Sequence, residues 1–156
     1  MSSFGPIVLN YGNYILRNSE YQRLQKKDWL NDVIIGFYFE FLEDGCARKD
    51  FKFMGPEITQ LIKFATSPPE VLSMLGLSEE DVKLLNVMLI PINDEFSPHS
   101  NGTAGGSHWS LLVFSRFDNL FVHFDSLVQH NHDAGSIVFE KLKQAFCPSW
   151  CHIQHR

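Results

Sequence analysis

The chain lacks the features that mark membrane proteins, nucleic-acid-binding proteins and disulfide-stapled secreted domains. It has no apolar run of the roughly 18 residues that span a bilayer, and its first residues lack the basic and apolar blocks of a signal peptide. Lys and Arg total 13 against 18 Asp and Glu, a net charge of −5, without the basic stripe that phosphate backbones require. We therefore expect neither a nucleic-acid partner nor a membrane partner.

Cysteine is also scarce. The chain has only three cysteines, an odd number that favours reduced thiols in the cytosol or nucleus. No internal repeat and no long linker divides the 156 residues, of which 44% are hydrophobic and 13% aromatic. These values are typical of one globular domain, which we expect to be a monomer.

Helical patterns dominate the first half of the chain, after an opening of about 25 residues without a clear pattern. Residues 28–43 are predicted to form a helix with Asp28 as its N-cap and Gly45 at its end, and the wide apolar surface indicates burial on most sides. Further helices are predicted at residues 56–64, 69–75 (closed by Gly76), 78–85 (capping box Ser78 and Asp81) and 133–146 (apolar stripe Ile137, Leu142 and Phe146).

Three short runs of branched and aromatic residues predict strands at residues 87–92, 109–114 and 120–124. Helices followed by strands favour the α+β class, with the helices packed on one side of a mostly antiparallel sheet.

The last two predicted strands bring His108 and Asp125 together if they form a hairpin. Pairing Leu111 with Phe124 keeps the apolar rows of both strands on one face, and a slip by one residue would separate them. In this register His108 and Asp125 are diagonal neighbours on the other face, about 7–8 Å apart at the backbone. Such an Asp fixes the imidazole tautomer and leaves the other ring nitrogen as a base. A purely structural pair stays open as an alternative.

Five short motifs occur in an order that carries more information than any one of them. They are Trp29-Leu30-Asn31-Asp32, Gly55-Pro56-Glu57-Ile58-Thr59-Gln60, Pro91-Ile92-Asn93-Asp94, His108-Trp109 and Phe124-Asp125-Ser126. In this order they resemble the Ulp-type cysteine proteases, the SUMO/sentrin-specific protease family. The glycine-rich approach at residues 104–113 is most similar to the deneddylase branch, which acts on the neddylation modifier.

The resemblance implies a papain-like core with a Cys, His and Asp triad and no metal or organic cofactor. His108 falls on the catalytic His, and Asp125 on the Asp that orients it. Trp29 and Trp109 fall on tryptophans that flatten the substrate tunnel, and Asp32 on an acidic position beside it. Only a Gly-Gly tail without side chains passes such a tunnel. For Trp29, packing at the start of a helix is an equal alternative.

The resemblance therefore implies a peptidase that cleaves after a C-terminal Gly-Gly. It would mature a ubiquitin-like modifier or remove it from its conjugates, and the neddylation modifier is favoured over SUMO. The alternative is a non-catalytic module that binds the modifier or regulates its pathway.

The ending departs from the family pattern. The family nucleophile lies in a Gln…Asp-Cys-Gly motif, which does not occur in the 31 residues after Asp125, and neither Cys147 nor Cys151 has this context. We expect residues 1–146 to be an incomplete protease domain, inactive as it stands, and residues 147–156 to be an atypical tail.

Three interpretations of the tail stay open. The favoured one is a frameshifted, alternatively spliced or erroneous ending in place of the family's C-terminal part. The second is an ordinary mobile tail. The third is a metal site formed by Cys147, Cys151, His152 and His155, although their spacing is unlike that of zinc modules.

Overall fold

The computed structural model describes residues 5–96, 106–146 and 151–156, and this part of the chain contains six helices and seven strands. The helices are α1 (Asn18–Gln25), α2 (Asp32–Gly45), α3 (Pro56–Phe64), α4 (Pro68–Leu75), α5 (Glu79–Leu84) and α6 (His132–Phe146). The strands are β1 (Ile7–Tyr11), β2 (Tyr14–Arg17), β3 (Phe51–Phe53), β4 (Val87–Asn93), β5 (Trp109–Ser115), β6 (Leu120–Phe124) and β7 (His152–His155).

A five-stranded sheet in the order β3-β4-β5-β6-β7 forms the centre of the fold. The pairs β4–β5 and β5–β6 are antiparallel, whereas the edge strands β3 and β7 run parallel to their neighbours. The α+β class is confirmed. So are the three predicted strands, two of which continue one residue further, to Asn93 and Ser115.

One face of this sheet packs into the main hydrophobic core. Alternate residues of the central strands are buried there, as expected for the two-residue period of a strand. They are Met88, Ile90, Ile92, Leu112, Phe114 and Phe121. Helices α3, α4 and α6 contribute to the same cluster with Ile62, Val71, Leu75, Val138, Phe139 and Leu142.

Helix α2 starts three residues later than predicted because Asn31 and not Asp28 caps it. The side chain of Asn31 accepts a hydrogen bond from the backbone N–H of Ile34 at 3.1 Å. Asp28 instead accepts from the N–H of Trp29, which leaves Trp29 outside the helix. The prediction of burial on most sides is also wrong, since only Ile34 and Gly36 of this helix are buried.

The predicted helices α3, α4 and α5 are confirmed, with ends that differ by at most one residue. Gly76 closes α4 in the left-handed region at φ +62, which glycine adopts without strain. Ser78 and Asp81 form the predicted capping box of α5, with reciprocal side-chain and backbone hydrogen bonds.

Helix α6 is confirmed, but its predicted apolar stripe is only partly right. Leu142 is fully buried, whereas Ile137 is 36% exposed and Val138 takes its place in the core. The helix is turned so that Phe139 contacts Phe121 of β6 edge-to-face, with ring centroids 5.1 Å apart. The side chain of residue 146 lies outside the described residues.

Several elements have no clear hydrophobic or capping pattern in the sequence and are not predicted from it. The opening of the chain forms the β1–β2 hairpin followed by α1, and β3 is only three residues long. Within residues 147–156, expected to be an atypical tail, the described residues form β7 paired with β6, and Cys151 just before this strand is buried in the core. No helix within the described ranges is both long and apolar enough to cross a membrane.

Candidate active site

The ends of β5 and β6 bring His108 and Asp125 into contact. Leu111 pairs with Phe124 and Val113 with Val122, which confirms the predicted register. His108 precedes β5, Asp125 follows β6, and the Nε2 atom of His108 lies 2.6 Å from Oδ1 of Asp125. Both side chains are buried, with exposed fractions of 5% and 6%. The sequence-predicted pair is therefore formed.

Asp125 is held as a carboxylate by donors on both of its oxygens. Oδ2 accepts from the backbone N–H of Asn131 at 2.8 Å, and Oδ1 also accepts from the N–H of Leu127 at 3.1 Å. Burial alone would raise the pKa of Asp125, but the bonds from Asn131, His108 and Leu127 outweigh it and lower the pKa. Hydrogen bonds to the charged form stabilise that form.

The pair fixes which nitrogen of His108 is available for chemistry. Because Nε2 faces a carboxylate, the neutral ring carries its proton on Nε2 and leaves Nδ1 unprotonated. Nδ1 can then take a proton, and Asp125 stabilises the imidazolium that forms. The arrangement can therefore supply a general base that subsequently acts as a general acid.

Asp94, just after β4, fixes the backbone of the segment that carries His108. Its Oδ1 accepts from the N–H groups of Ser107 and His108 at 2.6 and 3.0 Å, and its Oδ2 accepts from the Ser107 hydroxyl at 2.7 Å. Burial would raise the pKa of Asp94, but these bonds, led by those from Ser107, hold it well below its usual range. Asp94 thus remains charged over the whole physiological range.

Gly106 and His130 also support the segment that carries His108. Gly106 has φ +95, and a Cβ atom there would lie 2.2 Å from the side chain of Asn93. Glycine at this position therefore permits the close approach of the backbone before His108 to Asn93, while Gly105 lies outside the described residues. The His130 ring lies 3.1 Å from Asp94 and meets the His108 ring edge-to-face at 5.2 Å.

His123 of β6 shares the buried face with Asp125, as the register predicts. Its Nε2 lies 2.8 Å from the Ser110 hydroxyl and its Nδ1 lies 3.0 Å from Nδ1 of His155. Burial, reinforced by His155, lowers the pKa of His123 to about 4. The ring is therefore neutral at pH 7 and serves as a structural link to β7.

A groove of about 830 Å³ lies on the opposite face of the sheet, and Asp125 is one of the residues that line it. Side chains of α2, including Ile34 and Phe37, form one wall, while Leu89, Leu111 and Phe124 form the sheet side. The expectation that all helices pack on one side of the sheet is therefore wrong for α2. Its apolar residues face this groove.

Of the three residues predicted to bind substrate, the structure places one, Trp109, in the lining of this groove. The indole Nε1 of Trp109 donates to the carbonyl oxygen of Leu30 at 3.0 Å. Trp29, the neighbour of Leu30, is 66% exposed. Asp32 is the first residue of α2 and is half-buried. Their roles in substrate binding stay predictions.

The cysteines that the structure describes lie away from the His–Asp pair. Cys46 caps the end of α2 beside a separate cavity lined by Tyr11 and Phe53. Cys151 is 2% exposed within the main core, and Cys147 lies outside the described residues. No group of three metal-ligating side chains suited to a metal ion occurs among residues 5–96, 106–146 and 151–156.

Sequence reasoning missed the supporting residues. The sequence does not predict a supporting role for Asn131 or His130, and it places Asp94 only within a motif. In the structure His130, 42% exposed, lies 3.1 Å from Asp94. The one usable signal is the position of Asp94 two residues after a predicted strand, at the end of the sheet where His108 lies.

A buried imidazole paired with a carboxylate at the ends of adjacent strands is the base–orienter arrangement of nucleophilic hydrolases. Comparison with known families identifies the class more narrowly. The Ulp1 protease family, C-terminal catalytic domain, matches residues 28–151. This match covers most of the chain, which therefore belongs to the Ulp1 protease family.

The chain is also similar to individual proteases. Sentrin-specific protease 8 of Rattus norvegicus is 40% identical over 145 residues, 88% of this chain and 62% of that protein. The Homo sapiens protein is 39% identical over 142 residues, 88% and 64% of the two chains. NEDD8-specific protease 1 of Arabidopsis thaliana is 29% identical over 136 residues, 85% and 57%. The chain spans a little under two thirds of the length of these relatives.

Solved structures show the same fold. The C-terminal Ulp1 protease domain in complex with Smt3, the yeast orthologue of SUMO, aligns with a TM-score of 0.72 over 99% of this chain and 67% of that chain, at 16% identity. Ulp1 with its catalytic cysteine oxidised to a sulfinic acid gives 0.71 at 17% identity.

Proposed function

We propose that this chain carries the acid–base half of a deneddylating cysteine peptidase site, with His108 as the base and Asp125 as its orienter. The observation that carries the proposal is the buried 2.6 Å contact between His108 Nε2 and Asp125 Oδ1, beside an open groove that Asp125 lines. Membership of the Ulp1 protease family supports a thiol as the nucleophile.

In the complete reaction, His108 Nδ1 takes the proton of a cysteine thiol, and the thiolate attacks the carbonyl carbon of the terminal glycine of the modifier. The resulting imidazolium, stabilised by Asp125, gives the proton to the departing amine, which leaves an acyl-enzyme thioester. His108 then takes a proton from water, which attacks the thioester and releases the modifier carboxylate while the proton returns to the thiolate.

We propose that the nucleophile of this reaction is neither Cys46 nor Cys151. Cys46 lies at the far end of α2, and Cys151 is enclosed in the core without access to a substrate. A reactive cysteine requires an accessible thiolate. Cys147 is followed by Pro148 and also lacks the Asp-Cys-Gly context. These 156 residues by themselves are therefore expected to lack turnover.

We propose the neddylation modifier as the substrate rather than SUMO. Relatives that cover most of this chain include proteins named NEDD8-specific protease in Arabidopsis thaliana and Schizosaccharomyces pombe. The apolar groove beside Trp109 would receive the flexible Gly-Gly tail, because only glycine lets a backbone pass close to an indole ring. We further propose that the chain acts as a cytosolic or nuclear monomer without a cofactor.

The test combines an electrophile with a binding measurement. NEDD8 with a C-terminal vinyl sulfone is incubated with the purified chain, and binding of unmodified NEDD8 is measured by calorimetry. We expect no covalent adduct but saturable binding that Trp109→Ala abolishes. Phe117→Ala, which removes a 93% exposed ring at the β5–β6 turn, is the matched control and should bind normally. An adduct that Cys46→Ala or Cys151→Ala removes would contradict the assignment, and so would an absence of binding.

The second candidate function is a module that binds or regulates the modifier without catalysis. The positions of Cys46 and Cys151 away from His108 favour it for these 156 residues. Trp109-dependent binding without any adduct agrees with this role and with the first proposal alike. An adduct mapped to Cys147 would exclude it and identify a nucleophile.

A further inference from the structure

We propose that Asn131 is a positioning residue that holds His108 and Asp125 in register, an inference that rests on the proposed role of that pair. Asn131 is completely buried just before α6. Its backbone N–H donates to Asp125 Oδ2 at 2.8 Å, and its side-chain amide donates to the carbonyl oxygen of His108 at 3.3 Å. One residue thus contacts both members of the pair.

The same amide joins the ends of two strands. Its Nδ2 also lies 3.1 Å from the carbonyl oxygen of Ile92 and 2.9 Å from the Ser110 hydroxyl, so its two protons are shared among three acceptors. Two carbonyl oxygens accept only from a donor, so this end of the side chain must be the NH₂ group. The ends of β4 and β5 are therefore tied to one side chain, and the backbone N–H of the same residue reaches Asp125, just after β6.

The oxygen end of the Asn131 amide, unlike the nitrogen end, has no hydrogen-bond partner among the described residues. This oxygen atom, Oδ1, is buried. Leaving a buried acceptor unpaired is unfavourable, and native proteins rarely do so without a compensating role. Here the compensation is the set of donors that Nδ2 and the backbone N–H supply to the His–Asp pair.

Helix α6 gives this link a rigid base. The carbonyl oxygen of Asn131 accepts from the N–H of Gly135 at 2.8 Å, which fixes Asn131 at the start of the helix. Val138 and Leu142 on the same helix are fully buried. This helix is anchored in a close-packed core. Asn131 therefore fixes the positions of His108 and Asp125 at the ends of β5 and β6.

The test observes the pair directly and needs no substrate. The chain is labelled with ¹⁵N-histidine, and imidazole NMR reports the tautomer of His108 and the exchange of its Nε2 proton with water. We expect the wild-type ring to hold one tautomer with the proton on Nε2. In Asn131→Ala and in the isosteric Asn131→Asp, we expect mixed tautomers and about tenfold faster exchange, since local opening governs such exchange.

Val138→Ala is the matched control, because it removes buried contacts from the same helix without touching the pair. Compared at temperatures that give equal folded fractions, it should leave the His108 tautomer and exchange rate unchanged. If Val138→Ala and Asn131→Ala change His108 equally, or if neither does, Asn131 is only a structural residue and the proposal is overturned. Loss of NEDD8 binding alone would count against the proposed function and not against this role.

A wild-type measurement covers the case in which the Asn131 variants do not fold. The backbone amide of Asn131 should shift with the titration of Asp125, and its side-chain NH₂ should exchange far more slowly than that of the exposed Asn119. An Asn131 amide insensitive to pH, with an NH₂ group that exchanges like that of Asn119, would overturn the proposal.

Discussion

Nδ1 of His123 lies 3.0 Å from Nδ1 of His155, a contact that ties β6 to β7. Only one of these nitrogens can carry a proton while the other accepts it, so the contact fails when both rings are charged. Burial, assisted by His155, lowers the pKa of His123 to about 4, and burial also lowers the pKa of His155.

Stability should therefore fall on mild acidification. Between pH 6.5 and about 4 the unfolded chain binds a proton at His123 that the folded chain does not, so the free energy of unfolding decreases as the pH falls through this window. We expect a loss of about 1–2 kcal/mol from pH 7 to pH 5. Urea unfolding at pH 7, 6 and 5 measures it. Equal midpoints at all three values would show that His123 titrates normally.

Gly135→Ala should destabilise the fold through the same histidine. A Cβ atom at Gly135 would lie 2.7 Å from the His123 ring, which is 1% exposed and enclosed. We expect a loss of about 1–2 kcal/mol in thermal unfolding, because overpacking outweighs the better helix propensity of alanine. Gly45→Ala, with open space around its Cβ position, is the control and should change stability by less than about 0.5 kcal/mol. A neutral Gly135→Ala would contradict the close packing of α6 on His123.

Asp94→Asn should loosen the segment that carries His108. The substitution keeps the shape but removes the charge that accepts from Ser107 and His108, at a cost of about 1–3 kcal/mol. Hydrogen exchange at the amides of Ser107 and His108 should accelerate. The control Asp118→Asn alters an exposed carboxylate bonded to Ser115 and should leave those two amides unchanged. Unaltered exchange in Asp94→Asn would show that other contacts hold the segment.

The two described cysteines should differ in reactivity. Cys46 is half-buried beside an open cavity, whereas Cys151 is 2% exposed. In native buffer we expect iodoacetamide to modify Cys46 and to leave Cys151 intact, as mapped by peptide mass spectrometry. In urea both should react. Rapid native alkylation of Cys151 would indicate that β7 detaches from the sheet.

Much of the fold could be predicted because strong local signals mark it. Proline and glycine bound α4, reciprocal caps define α5, and the apolar rows of β5 and β6 fix their register. Local signals fail where alternatives compete. Asp28 and Asn31 are both good N-caps, and only the bond from the Ile34 N–H selects Asn31. The short parallel strands β3 and β7 depend on neighbours distant in sequence.

The candidate site divides in the same way. His108 and Asp125 could be paired from the sequence because a hairpin register relates them directly. Asn131 could not, because its role depends on four strand-end groups that only the folded sheet brings together. A residue that supports a site by binding backbone groups is hard to predict from the sequence, because every residue type carries the same backbone groups.

The most direct test of the proposed function is an NMR titration of the ¹⁵N-labelled chain with NEDD8. We expect saturable shifts of the Trp109 indole, of Leu30 and of the α2 residues along the groove, with little change at the β5–β6 turn. The absence of saturable shifts, or shifts confined to the turn around Phe117, would contradict a deneddylase-type substrate site at the His108–Asp125 pair.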